Sequence, residues 1–126
     1  MEAIVALQAE LGGPPCWVSF QCRSGSELAD GTPLLEAVAA VREVAGIRAV
    51  GTNCVKPEFV EEIVRACRAA APSLAVVVYP NDDGRGEWDA EKKEWGKKGT
   101  GGFPAETVRR WRDAGANLIG TYGSLL

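Results

Sequence analysis

Residues 47–54 are the most informative stretch of the chain and have the sequence Ile47-Arg48-Ala49-Val50-Gly51-Thr52-Asn53-Cys54. The short apolar run predicts a buried strand, and Pro57 just beyond it predicts the first turn of a helix. A thiol at the carboxyl end of a strand lies where parallel α/β sheets and barrels hold their reactive groups. Because thiolates are good zinc ligands, Cys54 is a candidate metal ligand. The other interpretation is a small buried apolar residue, which is the commoner fate of an isolated cysteine.

The alternation of helix and strand continues on both sides of this stretch. Apolar spacing predicts helices that begin at residues 1, 33, 57 and 103, and strands that begin near residues 17, 47, 74 and 117. In the first helix the apolar positions are Ile4, Leu7 and Leu11. In the second helix, Thr32 is a plausible N-cap and Gly46 is the predicted C-terminal stop. The predicted apolar face of this helix comprises Leu34, Leu35, Val38, Val41 and Ala45.

The predicted order is αβαβαβαβ, which indicates an α/β fold with a parallel sheet and right-handed connections. Four such units form either a small open sheet or one half of an eight-fold barrel, whose usual size is about 250 residues. Residues 80–102 interrupt this order because they are rich in Gly, Asp, Lys and Glu, which predicts a long irregular loop. Trp88 and Trp95 within it either hold the loop against the body of the protein or form a lid over a ligand.

The composition excludes several classes of protein. The 126 residues are enough for one domain, and 46% apolar with 25% charged residues is ordinary for a globular chain. A net charge of −3 without a basic cluster argues against nucleic acid as the main partner. No apolar run approaches the roughly 18 residues of a membrane span, and no signal peptide precedes the first helix. These features predict a cytoplasmic protein with no membrane partner.

Cysteine and histidine usage narrows the chemistry further. The four cysteines are Cys16, Cys22, Cys54 and Cys67, and no pair has the C-x-x-C spacing. In a cytoplasmic chain we expect them to be reduced, with Cys67 packed in the core. The sequence contains no histidine, which excludes Ser-His and Cys-His nucleophiles and every zinc site that uses imidazole.

Six strings occur in a fixed order along nearly the whole chain. They are Trp17-Val18-Ser19-Phe20-Gln21-Cys22, Leu28-Ala29-Asp30-Gly31-Thr32-Pro33, Gly51-Thr52-Asn53-Cys54, Tyr79-Pro80-Asn81-Asp82-Asp83-Gly84, Glu87-Trp88-Asp89-Ala90 with Trp95, and Gly115-Ala116-Asn117-Leu118-Ile119-Gly120. Taken together they resemble the homocysteine S-methyltransferase family. The ordered set is much more specific than any one of the strings.

The resemblance implies both a fold and a chemistry. Members of that family are zinc-dependent (β/α)8 barrels that transfer a methyl group from S-methylmethionine, S-adenosylmethionine or a betaine-type donor to homocysteine, giving methionine. Three cysteine thiolates hold the zinc, and the metal keeps homocysteine in its thiolate form. By resemblance, Cys54 matches the first of these ligands. Homocysteine and a sulfonium methyl donor are the implied substrates, and zinc is the implied cofactor.

The chain also departs from the family pattern. Where the family has two adjacent cysteines after Gly-Gly, this chain has Tyr122 and Gly123. Met1-Glu2-Ala3 aligns with a helix that follows the fourth strand of the family, so the N-terminal half has no counterpart here. The expectation is that residues 1–126 form the C-terminal half of a homocysteine-binding barrel, truncated at both ends. Cys22, at the end of another predicted strand, supplies a second thiolate only if its side chain points inward.

Three functions remain open at this stage. The chain is a methyltransferase part that lacks two zinc ligands, a non-catalytic half-barrel that associates with another chain, or a small flavodoxin-like binding module. No catalytic or substrate-binding residue is assigned from the sequence. Because a half-barrel leaves the strands at Trp17 and Leu118 without neighbours, self-association through the open sheet edges is expected.

Overall fold

The computed structural model describes residues 2–81, 85–97 and 102–120. The helices are α1 (Glu2–Glu10), α2 (Leu34–Val41), α3 (Pro57–Ala70) and α4 (Ala105–Ala114). The strands are β1 (Cys16–Phe20), β2 (Ile47–Asn53), β3 (Ala75–Tyr79), β4 (Arg85–Asp89), β5 (Glu94–Lys97) and β6 (Leu118–Ile119). Within these residues no helix has the length and apolar character needed to cross a membrane.

The main sheet has four strands in the order β1-β2-β3-β6, and every neighbouring pair is parallel. This confirms the predicted α/β fold with parallel repeats in sequential order, as in one half of a (β/α)8 barrel. The flavodoxin-like alternative is wrong for a topological reason. A doubly wound sheet binds its ligand where the strand order reverses, and this order does not reverse in the described sheet.

The hydrophobic core lies between one face of this sheet and the helices. Alternate strand residues face the helices because successive side chains point to opposite faces of a strand. The buried strand positions on this face include Val18, Phe20, Val50, Val76 and Val78. On the helix side, Trp111 of α4 is fully buried and meets the ring of Phe103 edge-to-face with centroids 4.9 Å apart.

The first two helices differ from the sequence prediction. Ile4 and Leu7 of α1 are 43% and 55% accessible and Leu11, just after the helix, is 61% accessible, whereas Gln8 is buried. The Gln8 amide donates hydrogen bonds to the carbonyl oxygens of Pro14 at 2.6 Å and Ala45 at 3.0 Å, so polar contacts fix this helix.

Helix α2 begins and ends differently from the prediction. Pro33 rather than Thr32 takes the N-cap position, and no side chain caps the helix. The helix ends at Val41, before the predicted stop at Gly46. Leu35 and Ala45 are exposed, so they do not belong to the buried face.

The prediction of an irregular loop over residues 80–102 is wrong for its central part. Strands β4 and β5 form an antiparallel hairpin, in which Trp88 and Trp95 are opposite each other in the backbone register. Lys93 in the connecting turn has a positive φ of 53°. Aromatic residues are common in strands, and here that preference outweighs the polar composition. The packing of the two Trp side chains, and residues 82–84 and 98–101, lie outside what the structure describes.

Strands β2 and β3 approach closely at Gly51, where any side chain would collide with the neighbouring backbone. A Cβ atom at Gly51 would overlap the carbonyl oxygen of Val77, its register partner in β3. The glycine is therefore required by space rather than by an unusual φ.

We expect Gly51→Ala to lower the free energy of unfolding by about 3 kcal/mol or more, because two paired strands must separate to admit the methyl group. Gly120→Ala is the matched control, since its Cβ would make an ordinary 3.6 Å contact with the Tyr79 side chain. Urea titrations monitored by circular dichroism measure the free energy of unfolding of both variants. Equal stability of the two variants would contradict the close approach of β2 and β3.

Arg68 joins three segments at the amino-terminal edge of the sheet. From α3, its guanidinium donates to the carbonyl oxygens of Leu74 at 3.0 Å and Gly115 at 2.7 Å, and to the Asn117 side chain. The same Asn117 oxygen accepts the Val76 N–H at 2.9 Å, which fixes the start of β3 next to β6. Contacts at this edge of a parallel barrel serve stability rather than chemistry.

Arg68→Ala should lower the free energy of unfolding by about 2 kcal/mol or more, because carbonyl and amide acceptors lose a charged donor. Arg65→Ala removes the same charge from the same helix but breaks only an exposed ion pair with Glu61, at 2.9 Å, and should cost about 0.5 kcal/mol or less. Both values come from parallel urea titrations. A loss at Arg65 as large as that at Arg68 would refute the bridging role.

Candidate functional site

Cys54 lies directly after β2, at the carboxyl-terminal edge of the parallel sheet. Its φ of 50° is in the left-handed region, which is uncommon for a residue with a side chain and costs on the order of 1 kcal/mol. Two backbone hydrogen bonds hold the segment in place, from Cys54 N to Tyr79 O at 3.2 Å and from Asn81 N to Val55 O at 2.9 Å. The loops after β2 and β3 are thus joined at the edge where reactive groups are expected.

The side chain of Asn53 contacts the thiol directly. Its Nδ2 donates a hydrogen bond to Cys54 Sγ at 3.3 Å. Because the Cys54 side chain is only half-buried, a ligand that approaches from the carboxyl edge can reach the sulfur. The amide contact therefore fixes the direction of an accessible thiol.

A hydroxyl pair lies on the open face of the sheet next to this edge. Ser19 Oγ of β1 and Tyr79 Oη of β3 are 2.6 Å apart, and either hydroxyl can donate. Because β1 and β3 lie on either side of β2, the two side chains meet across this middle strand. Tyr79 is thus fixed at its hydroxyl by Ser19 and at its carbonyl by Cys54.

Ser19 and Tyr79 occur in the family-like strings, but the sequence pattern predicts no role for either. The strand alternation was the signal that could have found them, since Trp17 and Ser19 both point away from the core. The contact itself depends on Tyr79 reaching back across a neighbouring strand, which the strand pattern does not reveal.

Cys22 does not join Cys54. Its thiol packs against the hydrophobic core, 3.8 Å from Thr52 Oγ1, whose hydroxyl donates to Phe20 O at 2.7 Å. Burial raises the pKa of Cys22 above its usual value, and this outweighs the opposite effect of Thr52. The Cys22 thiol therefore lies on the core side of the sheet beside Thr52, so the condition that it points toward the open face as a second thiolate is not met.

The other two cysteines are also separated from Cys54. Cys67 is fully buried in the core, as expected, and burial together with the nearby Cys22 raises its pKa to about 12. Cys16 starts β1 and pairs with Ile47 at the start of β2, at the opposite edge of the sheet from Cys54.

The sequence profile of the family described as homocysteine S-methyltransferase matches residues 1–122. The chain belongs to this family. Among its curated relatives, homocysteine S-methyltransferase 4 of Zea mays is 38% identical over 111 residues, which are 84% of this chain and 31% of that protein. The Bacillus subtilis homocysteine S-methyltransferase YbgG is 29% identical over 119 residues, 94% of this chain and 37% of that protein.

The structural comparison agrees with the family assignment. The metallated form of the homocysteine methyltransferase MmuM from Escherichia coli superposes with a TM-score of 0.72 and 29% sequence identity. The match covers 95% of this chain and 35% of MmuM. This chain therefore spans about a third of the length of the relatives it matches.

The residues that the structure describes do not by themselves fit a complete zinc site. Within 2–81, 85–97 and 102–120, no three His, Cys, Asp or Glu side chains come close enough to share a metal ion. Cys54 offers one sulfur donor at the carboxyl edge of the sheet, and it is a single donor. Tyr122 and Gly123, at the positions of the other two family thiolates, lie outside the described residues, and neither carries a thiol.

The buried thiol of Cys67 predicts a pH-dependent stability. In the unfolded chain this thiol ionises near pH 9.0, whereas in the folded protein its pKa is about 12. The stabilisation is therefore complete below pH 9.0 and is lost as the pH rises toward 12. In that window the native protein should lose about 1.4 kcal/mol per pH unit more than Cys67→Ala.

Urea titrations at a series of pH values test this difference. Groups distant from Cys67 titrate equally in both proteins, so the difference between the two slopes reports on Cys67 and its coupling to Cys22. Identical slopes would show that the thiol is not buried as described.

Proposed function

We propose that this chain is part of a homocysteine S-methyltransferase that uses S-methylmethionine or S-adenosylmethionine as methyl donor, and that Cys54 is one of its zinc ligands. The observation that carries the proposal is the place of Cys54, an accessible thiol held at the carboxyl edge of a parallel sheet by Asn53 and Tyr79. The family membership supports the same substrates.

The reaction requires a nucleophilic sulfur and a sulfonium leaving group. The homocysteine sulfur forms a bond to the methyl carbon while the bond between that carbon and the sulfonium sulfur breaks. The donor leaves as a neutral thioether with the electron pair of the broken bond, and the thiol proton passes to solvent. In this scheme Asn53 orients the Cys54 sulfur, and the Tyr79 carbonyl oxygen, which accepts the Cys54 N–H, holds the Cys54 backbone in place.

The described residues supply only one of the thiolates that such a site needs. We propose that the chain corresponds to a partial homocysteine-binding domain, and that the missing zinc donors and the groups that grip the substrate come from additional polypeptide. Its free thiols and acidic composition are consistent with a cytoplasmic location, without nucleic acid or membrane partners.

A second candidate function is a non-catalytic half-barrel that binds another chain. The observation in its favour is the open sheet face, a concavity of about 460 Å³ lined by residues that include Trp17, Val77 and Leu118. Trp17 is 59% and Leu118 is 53% exposed, which is unusual for large apolar side chains in a sheet.

We expect the full native chain to give no measurable methionine from homocysteine and S-methylmethionine, even with zinc supplied. A chimaera provides the positive test, in which residues 2–120 replace the matched segment of the maize relative. We expect this chimaera to form methionine and to lose at least about a hundredfold in rate on Cys54→Ser, because a zinc ligand is lost. Cys16→Ser is the matched control and should retain activity.

The outcomes separate the two candidates. A folded chimaera without activity would favour the non-catalytic half-barrel. An active chimaera that is insensitive to Cys54→Ser would contradict the role of Cys54 as a zinc ligand. Methionine formation by the native chain alone would mean that the zinc site is completed in a way that the one-donor geometry does not provide.

A further inference from the structure

Gln21 comes directly after β1, at the carboxyl edge of the sheet. The residues on either side of it, Phe20 and Cys22, both pack against the hydrophobic core. Because successive side chains of an extended chain point to opposite faces, the Gln21 side chain points to the open face of the sheet. It is exposed, and its amide has no hydrogen-bond partner within the described part of the chain.

The backbone around Gln21 is held in place. The Gln21 carbonyl oxygen accepts the Ala29 N–H at 2.8 Å, and Cys22 forms an antiparallel bridge with Leu28. The chain therefore stays extended beyond the end of β1, which supports the alternation of side chains. A free amide on a fixed backbone is suited to hold a ligand in one orientation.

Gln21 lies on the strand next to the candidate metal ligand. The register of β1 and β2 ends with Phe20 opposite Thr52, so the next residues along the two chains are Gln21 and Asn53. Asn53 donates its Nδ2 hydrogen bond to Cys54 Sγ at 3.3 Å. Since neighbouring strands are about 4.8 Å apart, the free amide of Gln21 is one strand away from this contact.

The open face becomes more polar toward the carboxyl ends of the strands. On β1, Trp17 precedes Ser19 and Gln21, and on β3, Val77 precedes Tyr79. The Ser19 and Tyr79 hydroxyls meet at 2.6 Å on this face. A substrate that enters from the carboxyl edge therefore meets side chains that form hydrogen bonds, as is usual for the part of a pocket that orients its ligand.

We propose that Gln21 binds the α-carboxylate of homocysteine through its Nε2 group. The inference rests on the proposed function, which makes homocysteine the substrate and places its sulfur next to Cys54. Only two methylene groups separate that sulfur from the α-carbon, so the amino-acid end of the substrate is within reach of the next strand. This contact adds to those that the additional polypeptide supplies.

The chemistry of the side chains favours the carboxylate over the ammonium group of the substrate. A glutamine Nε2 carries two N–H donors, and an ionised carboxylate is an acceptor only. An ammonium group is held best by a carboxylate, whereas the other polar side chains described on this face, Ser19, Asn53 and Tyr79, are neutral. Gln21 is thus a specificity-determining residue for thiols that carry a carboxylate.

The chimaera of residues 2–120 with the maize relative tests this role. Gln21→Ala should raise both the Kd and the KM for homocysteine about tenfold, because a hydrogen bond to a charged group is lost. The value of kcat and the KM for S-methylmethionine should change by less than about twofold. Unchanged homocysteine binding would overturn the proposal.

Ser26→Ala is the matched control. Ser26 is an exposed polar residue of the same loop, but it lines a groove against α2 and α3 on the helix side of the sheet. Homocysteine binding should therefore be the same as in the parent chimaera. A loss as large as that of Gln21→Ala would mean that the loop acts only as a structural unit, and the proposal would be wrong.

Two thiols, used as competitive inhibitors, identify the substrate group that Gln21 contacts. γ-Mercaptobutyrate keeps the carboxylate and lacks the amine, whereas homocysteamine keeps the amine and lacks the carboxylate. Gln21→Ala should weaken the binding of γ-mercaptobutyrate about tenfold and that of homocysteamine by less than about twofold. Equal losses, or a loss with homocysteamine alone, would contradict a contact with the carboxylate.

A change of charge at the same position gives an independent readout. Gln21→Glu keeps the shape of the side chain but places an anion opposite the carboxylate, so it should weaken γ-mercaptobutyrate binding more than Gln21→Ala does. Homocysteamine should bind as well as before or more tightly. Tight binding of γ-mercaptobutyrate by the Gln21→Glu variant would show that the side chain does not face the carboxylate.

Calorimetry measures binding separately from methionine formation, which distinguishes the two proposals. Circular dichroism and the urea midpoint check that the variants fold like the parent chimaera, as expected for a side chain without described contacts. A folded chimaera that binds homocysteine but forms no methionine would contradict the proposed function, while the dependence of binding on Gln21 would still decide its role. A folded chimaera that binds no homocysteine would overturn both proposals.

Discussion

The close approach of β2 and β3 at Gly51 is the constraint on which the rest of the structure depends. It lets the two strands pair in the register that places the Cys54 N–H against Tyr79 O. The absence of a Cβ at Gly51 therefore allows the pairing of β2 and β3 that brings the Cys54 N–H to the Tyr79 carbonyl oxygen.

Most of the fold could be predicted from the sequence because it depends on local patterns. The predicted start of α3 at residue 57 is the observed one, and the predicted start of β3 near residue 74 is within one residue of the observed start at Ala75. The predictions failed where tertiary contacts outweigh the pattern. Apolar spacing in α1 indicated a buried face, but the partner that this face requires is not among the described residues, and the polar Gln8 anchors the helix instead.

Of the candidate site, Cys54 could be predicted from the sequence, but the contacts around it could not. The position of Cys54 at a strand end follows from the sequence, and the family resemblance gave it a role that no single-chain pattern could. The hydrogen bonds from Asn53 and to Tyr79 depend on the backbone turning to positive φ at a cysteine, which residue propensities do not favour. The direction of the Cys22 side chain depends on the path that the backbone takes after β1 ends at Phe20. That path is seen only in the structure, from the contact between Cys22 and Thr52.

The anchoring of α1 by Gln8 has a consequence for how this chain meets other polypeptide. Its two hydrogen bonds reach the carbonyls of Pro14 and Ala45. Gly46 is needed there because its φ is 86° and a Cβ would overlap the carbonyl oxygens of Gly13 and Pro14. Directional hydrogen bonds of this kind hold α1 in one orientation without a contribution from its exposed apolar side chains. The exposed apolar side chains of α1, Ile4 and Leu7, are thus on a helix that is already fixed in the free chain. Binding of another polypeptide to this helix therefore loses little conformational entropy, and stable association requires correspondingly less contact area.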